Sequence, residues 1–295
     1  MKVVVTGSNG KVGRAAVQAL LAAGHDVTGV DLGRPVFERA VPGAARYQMA
    51  DLTDAGEAFA VIRGAEAVVH TAAIPDPSSN PAHVVFRTNL MATFNVLEAA
   101  VRFGVSRFVN LSSETLPGFL FAERGFLPEY APVDEEHPAH PQDPYALTKL
   151  FGEQLMDAAT QRSDIRCISL RPSWVQNVDN YEQNLGPLVR DAEMRSGNLW
   201  SYTDAYDLAD AIVLAVESEL PGHEVFYIAA PDNVGGRDFA EILQAHYGDT
   251  IPLRPLSRPD ASGISSEKAQ RVLGWAPQRS WRDYLDADGR ARPHS

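Results

Sequence analysis

Short β-branched runs alternate with longer segments of helical period through the N-terminal half of the chain. Lys2 to Val5 reads as a first strand and Val27 to Val30 as a second that ends at Asp31. Further strands are read at Ala67 to His70, Phe108 to Leu111 and Arg166 to Leu170, with one more just before Asp51. Between the first two, Lys11 to Ala23 places Val12, Ala16, Leu20 and Ala23 on one stripe and stops at Gly24. A longer helix is expected from about Thr88 to Phe103, with Leu90, Phe94, Leu97 and Val101 on one face and Gly104 as its stop. Another helix follows Pro144. Strand and helix in regular alternation predict an α/β fold, a Rossmann-type doubly wound parallel sheet covered on both faces.

The pattern then changes. From Gly118 to Pro144 the chain carries Pro128, Pro132, Pro138, Pro141 and Pro144, too many to allow regular structure. A long ordered loop in a compact domain is usually functional, and this one leads into the helix after Pro144. Beyond Leu170 the segments shorten and turn residues become denser. The expected organisation is therefore a nucleotide-binding domain over residues 1–172 and a smaller substrate-binding part over 173–295. The segment around 203–230 is expected to return to the sheet. Ser265-Ser266 should cap a helix that ends at Gly274, and the polar tail from Asp286 should fray.

Composition removes several function classes. The 295 residues carry a formal charge of −12, which argues against a nucleic-acid partner. No apolar run approaches the roughly 20 residues that span a bilayer, so no membrane partner is expected. Nor does the start, Met1 to Gly7, read as a signal peptide. Cys167 is the only cysteine and lies in an apolar run, so it reads as a core residue. These features fit a cytoplasmic protein. No metal-ligand set is assigned.

Candidate chemistry begins in Thr6-Gly7-Ser8-Asn9-Gly10-Lys11-Val12-Gly13, which joins the first strand to the first helix. Gly7 and Gly10 permit a tight turn and close approach to a pyrophosphate, and Gly13 lets the helix pack near the sheet. The phosphates would meet the free N–H groups of the helix start. Asp31, 18 residues after Gly13, can accept the ribose hydroxyls of NAD and would repel the 2′-phosphate of NADP. Arg34 stands close enough to complicate that choice. Asp51-Leu52 could reach the adenine or cap a helix.

Ser113 follows a strand at the carboxyl edge, where open α/β sheets hold ligands, and Ser112 beside it could serve the backbone alone. Tyr145 and Lys149 are one helical turn apart and share a face, with Asp143 as N-cap and Pro144 at the first helical position. For Tyr145 to act as a base, its phenol must fall from about 10 towards 7, roughly 4 kcal/mol of phenolate stabilisation. The Lys149 charge and the helix N-terminus can each contribute.

These residues, in this order, resemble the extended short-chain dehydrogenases/reductases, specifically the NAD-dependent epimerase/dehydratase family. The likeness also runs through His70-Thr71-Ala72-Ala73, Asn89, Asn95 to Ala100, Gly152-Glu153 and Leu170-Arg171-Pro172. It continues in Asp207-Leu208-Ala209 and Leu273 to Pro277. The resemblance implies Ser113, Tyr145 and Lys149 as a catalytic trio. It implies cofactor contacts from Asn9, Lys11, Val12, Thr71, Ala72, Ala73, Asn89 and Pro172 besides the residues already named. Substrate contacts are implied for Ser112, Ser113, Glu114, Trp174 and Arg258, and a homodimer through the helices Thr88–Phe103 and Tyr145–Ala159.

Departures from the family pattern narrow the expectation. Ser113-Glu114-Thr115 stands where dehydratases of this family carry Thr-Asp-Glu, which disfavours dehydration. About 35 residues separate Pro172 from Asp207, fewer than in nucleotide-sugar epimerases. A diphosphate-gripping arginine of those enzymes falls on Trp200, although Arg258 matches a second such position. With Trp174, Trp200 and Tyr202, the substrate part looks suited to a small sugar or sugar acid. The expectation is an NAD-dependent dehydrogenase. A UDP-sugar 4-epimerase is the first alternative, and a non-catalytic NAD-sensing protein that binds a partner is the second.

Overall fold

The computed structural model describes residues 1–33 and 45–292. In chain order its elements begin with β1 (Lys2–Thr6), α1 (Lys11–Ala22), β2 (Asp26–Asp31), β3 (Arg46–Met49) and α2 (Ala55–Ile62). Then come β4 (Ala67–His70), α3 (Ala82–Arg102), β5 (Arg107–Leu111), α4 (Pro144–Arg162) and β6 (Arg166–Pro172). The remainder comprises β7 (Val175–Gln176), α5 (Tyr181–Arg190), β8 (Thr203–Asp204), α6 (Ala205–Glu217), β9 (His223–Ile228), α7 (Phe239–Tyr247) and α8 (Trp281–Tyr284). Arg34 lies outside the described residues.

Seven parallel strands run in the order β3-β2-β1-β4-β5-β6-β9. The order reverses between β1 and β4, and open sheets hold ligands at such a switch point, outside the carboxyl strand ends. The valine run of β1 shows why the sheet needs cover on both sides. Val3 and Val5 pack with α1 and α6 on one face, and Val4 packs with α2 and α3 on the other. Leu20 of α1 is fully buried in the first layer, a contribution of roughly 1.5–3 kcal/mol.

α3 departs from its expected outline. It starts at Ala82, behind Pro81, rather than at Thr88. Its buried face is formed by Val85, Asn89, Ala92, Val96, Ala99 and Ala100, whereas Phe94 of the expected stripe is exposed. Close packing of a helix between its neighbours favours small side chains inward. That leaves Phe94 and Met91 on the outer face.

A second apolar cluster lies beyond β6 and gathers Trp200, Tyr202, Phe239, Trp281 and Leu285. The proline-rich stretch between β5 and α4 contains no named helix or strand, and it joins this cluster rather than the sheet. Ala131 bridges to Leu253 and Val133 to Ile264. Gly274 does terminate the π-helical turn Ala269–Leu273, with φ +72°. From Asp286 to Arg292, the last described residue, the tail is ordered rather than frayed. Leu285 bridges to Ala291, and Gly289 sits against Gly186 of α5, where an added Cβ would lie 2.4 Å from a carbonyl oxygen.

Candidate active site

A cleft of about 990 Å³ runs along the carboxyl ends of β1, β4, β5 and β6. Its first wall is the turn from β1 into α1. Gly7 has φ +68°, and a Cβ on Gly13 would lie 2.1 Å from the Gly7 carbonyl oxygen, so loop and helix can meet only as glycines. The N-cap of α1 is Gly10, which has no side chain to cap the helix. Its first-turn N–H groups therefore face the cleft as a ready anion site.

Asp31, at the end of β2, accepts the Asn9 N–H at 2.9 Å and the Leu32 N–H at 2.8 Å. Its carboxylate thus ties the glycine loop to the strand that would meet the adenosine ribose. Asp51 accepts from Thr53 and does not cap α2, a task that falls to Asp54. Asn89 closes the middle of the cleft by exchanging two hydrogen bonds with the Ile74 backbone, at 2.8 and 3.0 Å. It thereby fixes the segment Thr71-Ala72-Ala73, which also lines the cleft, as do Leu52 and Pro172. Lys11 reaches across to the Val175 carbonyl at 2.8 Å, and Val12 stands beside it. The glycines, the free helix start and Asp31 together fit a dinucleotide.

Asp143 caps α4 through the Ala146 N–H at 2.9 Å, and Pro144 occupies the first turn. This puts Tyr145 in the first turn and Lys149 one turn later, its Nζ 5.5 Å from the tyrosine ring centre. Lys149 donates to the Leu111 carbonyl at 2.6 Å. Burial lowers its pKa to about 8, with Glu153 opposing. Ser113, after β5, accepts from the Thr115 hydroxyl at 3.1 Å and lines the same cleft as Tyr145.

The phenol does not approach neutrality in this setting. Burial pushes it up to about 12; Ser113 pulls it down, while Glu114, Asp143 and Asp76 push it further up. The expected fall towards 7 is outweighed by desolvation and three nearby acids. Such a phenol is poised to donate a proton at neutral pH, and serves as a base only with added positive charge or alkali.

Ser112 donates to Glu153 at 2.5 Å, and Glu153 accepts both arms of Arg171 at 2.9 and 2.7 Å. Its hydroxyl is committed to the wall behind Lys149. Glu114 and Trp174 do line the cleft. Arg258 pairs with Asp260 at 2.5 Å and does not appear among the lining residues. Trp200 and Tyr202 are fully buried in the second cluster and so form no wall of the site. Ser173, Asn198 and Phe121 line the cleft and were not anticipated. The position of Ser173 just past a strand end could have flagged it; Asn198 and Phe121 come from irregular segments with no such signal.

Residues 3–229 match the model of the NAD dependent epimerase/dehydratase family. The chain belongs to that family. It is an enzyme of the NAD-dependent, extended short-chain dehydrogenase/reductase type. One relative is a UDP-glucose 4-epimerase of Corynebacterium glutamicum, 29% identical over 95% of this chain and 92% of its own length. Another is an L-arabinose 1-dehydrogenase (NAD(P)(+)) of Haloferax volcanii, 30% identical over 62% of this chain and 71% of its own. A short-chain dehydrogenase/reductase superfamily protein from Agrobacterium tumefaciens, solved with bound NAD, superimposes with TM-score 0.72 at 27% identity. That match covers 96% of this chain and 94% of the other. No described helix is long and apolar enough to cross a membrane.

Proposed function

We propose that the chain is an NAD-dependent dehydrogenase that oxidises a secondary or anomeric alcohol of a small sugar or sugar acid. The observation that carries this reading is the meeting of Ser113, Tyr145 and Lys149 beside the glycine loop in one cleft. Gly7, Gly10, Gly13 and the α1 start would hold the NAD pyrophosphate, and Asp31 the adenosine ribose. Bound there, NAD supplies the hydride acceptor. Ser113 holds the reacting oxygen, and Tyr145 takes its proton. Lys149 contributes positive charge to the phenolate and, at a pKa of about 8, keeps that charge at neutral pH.

Dehydrogenation is favoured over epimerisation by the substrate side. Trp200 stands in the core, and Arg258 is occupied by Asp260 away from the cleft lining. Neither is placed to grip a diphosphate. The Corynebacterium relative keeps UDP-sugar 4-epimerisation as a second reading. The two separate on the fate of the cofactor: a dehydrogenase releases NADH in step with sugar oxidised, an epimerase retains it. Release of no NADH, with interconversion of UDP-glucose and UDP-galactose, would overturn the first reading. The lone buried Cys167 accords with work in the cytoplasm.

Two copies pair through α3 and α4 in this proposal, covering Met91 and Phe94, which are exposed on α3. Phe94→Glu should turn a dimer into a monomer in light scattering; a wild-type monomer would dismiss the pairing.

A further inference from the structure

The two ends of the cleft differ in charge. Among the described residues lining it, the cations are Lys11 and Lys149. One lies beside the glycine loop and the other backs Tyr145. Three arginines of the C-terminal part are taken up by carboxylates instead, Arg258 by Asp260, Arg279 by Asp207 and Arg282 by Asp232, while Arg195 lies over the Tyr247 ring.

Beyond Ser113 the cleft carries a buried acid. Glu114 is 7% exposed. It accepts the Ser173 hydroxyl at 2.6 Å and faces the Asn198 amide at 3.4 Å through both oxygens. Asn198 is fixed in turn by Ser196 at 2.7 Å and by the Ser201 carbonyl at 2.7 Å. The turn that presents it contains two consecutive left-handed residues, Leu199 at φ +57° and Trp200 at φ +56°. Side chains with a Cβ resist that conformation, and strain of this kind persists where surrounding packing enforces it. Here the enforcement is the complete burial of Trp200. In the same cleft, Trp174 and Phe121 stay 39% and 40% exposed and offer flat apolar walls.

An anion placed here would lose water without gaining a counter-charge. A hydroxyl both donates and accepts, so it satisfies a carboxyl group in either protonation state. The C–H face of a sugar ring suits the two aromatic walls.

We infer that the substrate half of the cleft recognises an uncharged polyhydroxylated ring, a free aldose or cyclic polyol, and rejects uronates and sugar phosphates. Glu114 is its specificity-determining residue. This rests on the dehydrogenase reading for where the reacting alcohol lies, though the charge preference stands on the cleft alone.

The test compares each of D-glucose, D-galactose and L-arabinose with glucuronate, galacturonate and glucose 6-phosphate, on the full chain with NAD present. Calorimetric binding and NADH formation are both read. The neutral sugars should exceed the anionic ones by about 100-fold, the penalty of an uncompensated charge expressed as affinity. Glu114→Gln should lower kcat/KM for the preferred sugar by about 10-fold, the loss of a buried hydrogen bond. It should also change the ranking of epimeric sugars and leave NAD affinity intact. A purely structural role for Glu114 would shift thermal stability without altering that ranking, and this result would overturn the assignment. Phe121→Arg, at an exposed wall position, provides a gain-of-function arm: the uronates should improve relative to their parent sugars.

Equal or better binding of the uronates by the wild type refutes the inference, as does binding of no neutral sugar. Binding of a neutral sugar with no NAD reduction would instead defeat the dehydrogenase reading and leave the charge preference standing.

Discussion

The proposed cofactor end and the proposed substrate end of the cleft are built by different means. The cofactor end is mostly backbone: glycines that leave room, N–H groups at a helix start, and one strand-end carboxylate. The substrate end is mostly side chain, assembled from Ser113–Glu114, Ser173–Trp174 and Ser196–Asn198. Backbone recognition depends on a short contiguous stretch, so it tolerates little change and is visible in sequence. Side-chain recognition drawn from distant segments can be altered without disturbing the sheet, and that freedom lets one scaffold serve many substrates.

The contrast can be broken most severely at the backbone end. Gly13→Val should abolish NAD binding, because even a Cβ would stand 2.1 Å from the Gly7 carbonyl oxygen. A destabilisation of about 3 kcal/mol is expected from the overpacking. Chemical denaturation and NAD titration check both; a variant that still binds NAD tightly would show that the turn is more yielding than described.

Lys149→Met should cost about 100-fold in oxidation rate, the scale of a lost contribution to acid–base catalysis. The Tyr145 phenol is held up at about 12, and in the proposed reaction its deprotonated form is the base. Oxidation should therefore climb as pH rises into the alkaline range, while carbonyl reduction, which uses the protonated phenol, persists at neutral pH. Removing the Lys149 charge should push the oxidation limb further alkaline. A flat profile in both directions would contradict the role of Tyr145.

At the substrate end the expected effect is on stability as well as selectivity. Burial raises Glu114 from 4.5 to about 8. Between these values the folded chain binds a proton that the unfolded chain has released, so stability from this group falls as pH rises through the window. Glu114→Gln removes the penalty, and above pH 8 the variant should be the more stable by on the order of 2–4 kcal/mol. Urea midpoints across that range supply the comparison; a variant less stable at every pH would mean that Glu114 is chiefly a structural anchor. Smallest of all, Asp31→Ala should narrow the preference for NAD over NADP by about 10-fold, the weight of one charge-assisted hydrogen bond.

Much of this architecture is legible in the sequence. The β1 run, the glycine turn and the cap–proline start of α4 are local signals, in which neighbouring residues dictate the conformation. On α3 the expected stripe holds at Leu97, which is buried, and fails at Phe94, which is exposed while Ala92 and Val96 face inward; periodicity alone does not fix the centre of the stripe that meets the sheet. The tail after Asp286 is polar in sequence, yet Gly289 docks it on α5 and the Arg292 N–H on the Tyr284 carbonyl of α8, contacts no local rule foresees. Asn198 was invisible for the same reason. Its position depends on a strained turn held by the burial of Trp200, a residue that in sequence had looked like part of the site.

The central claim is that Tyr145, set between Ser113 and Lys149, moves the substrate proton while the glycine end independently holds NAD. Its most direct test is Tyr145→Phe, with NAD affinity by calorimetry and NADH formation by absorbance measured on the same preparation. The account predicts unchanged NAD affinity and no detectable turnover of a sugar that the wild type oxidises. Turnover close to wild type in that variant would contradict it.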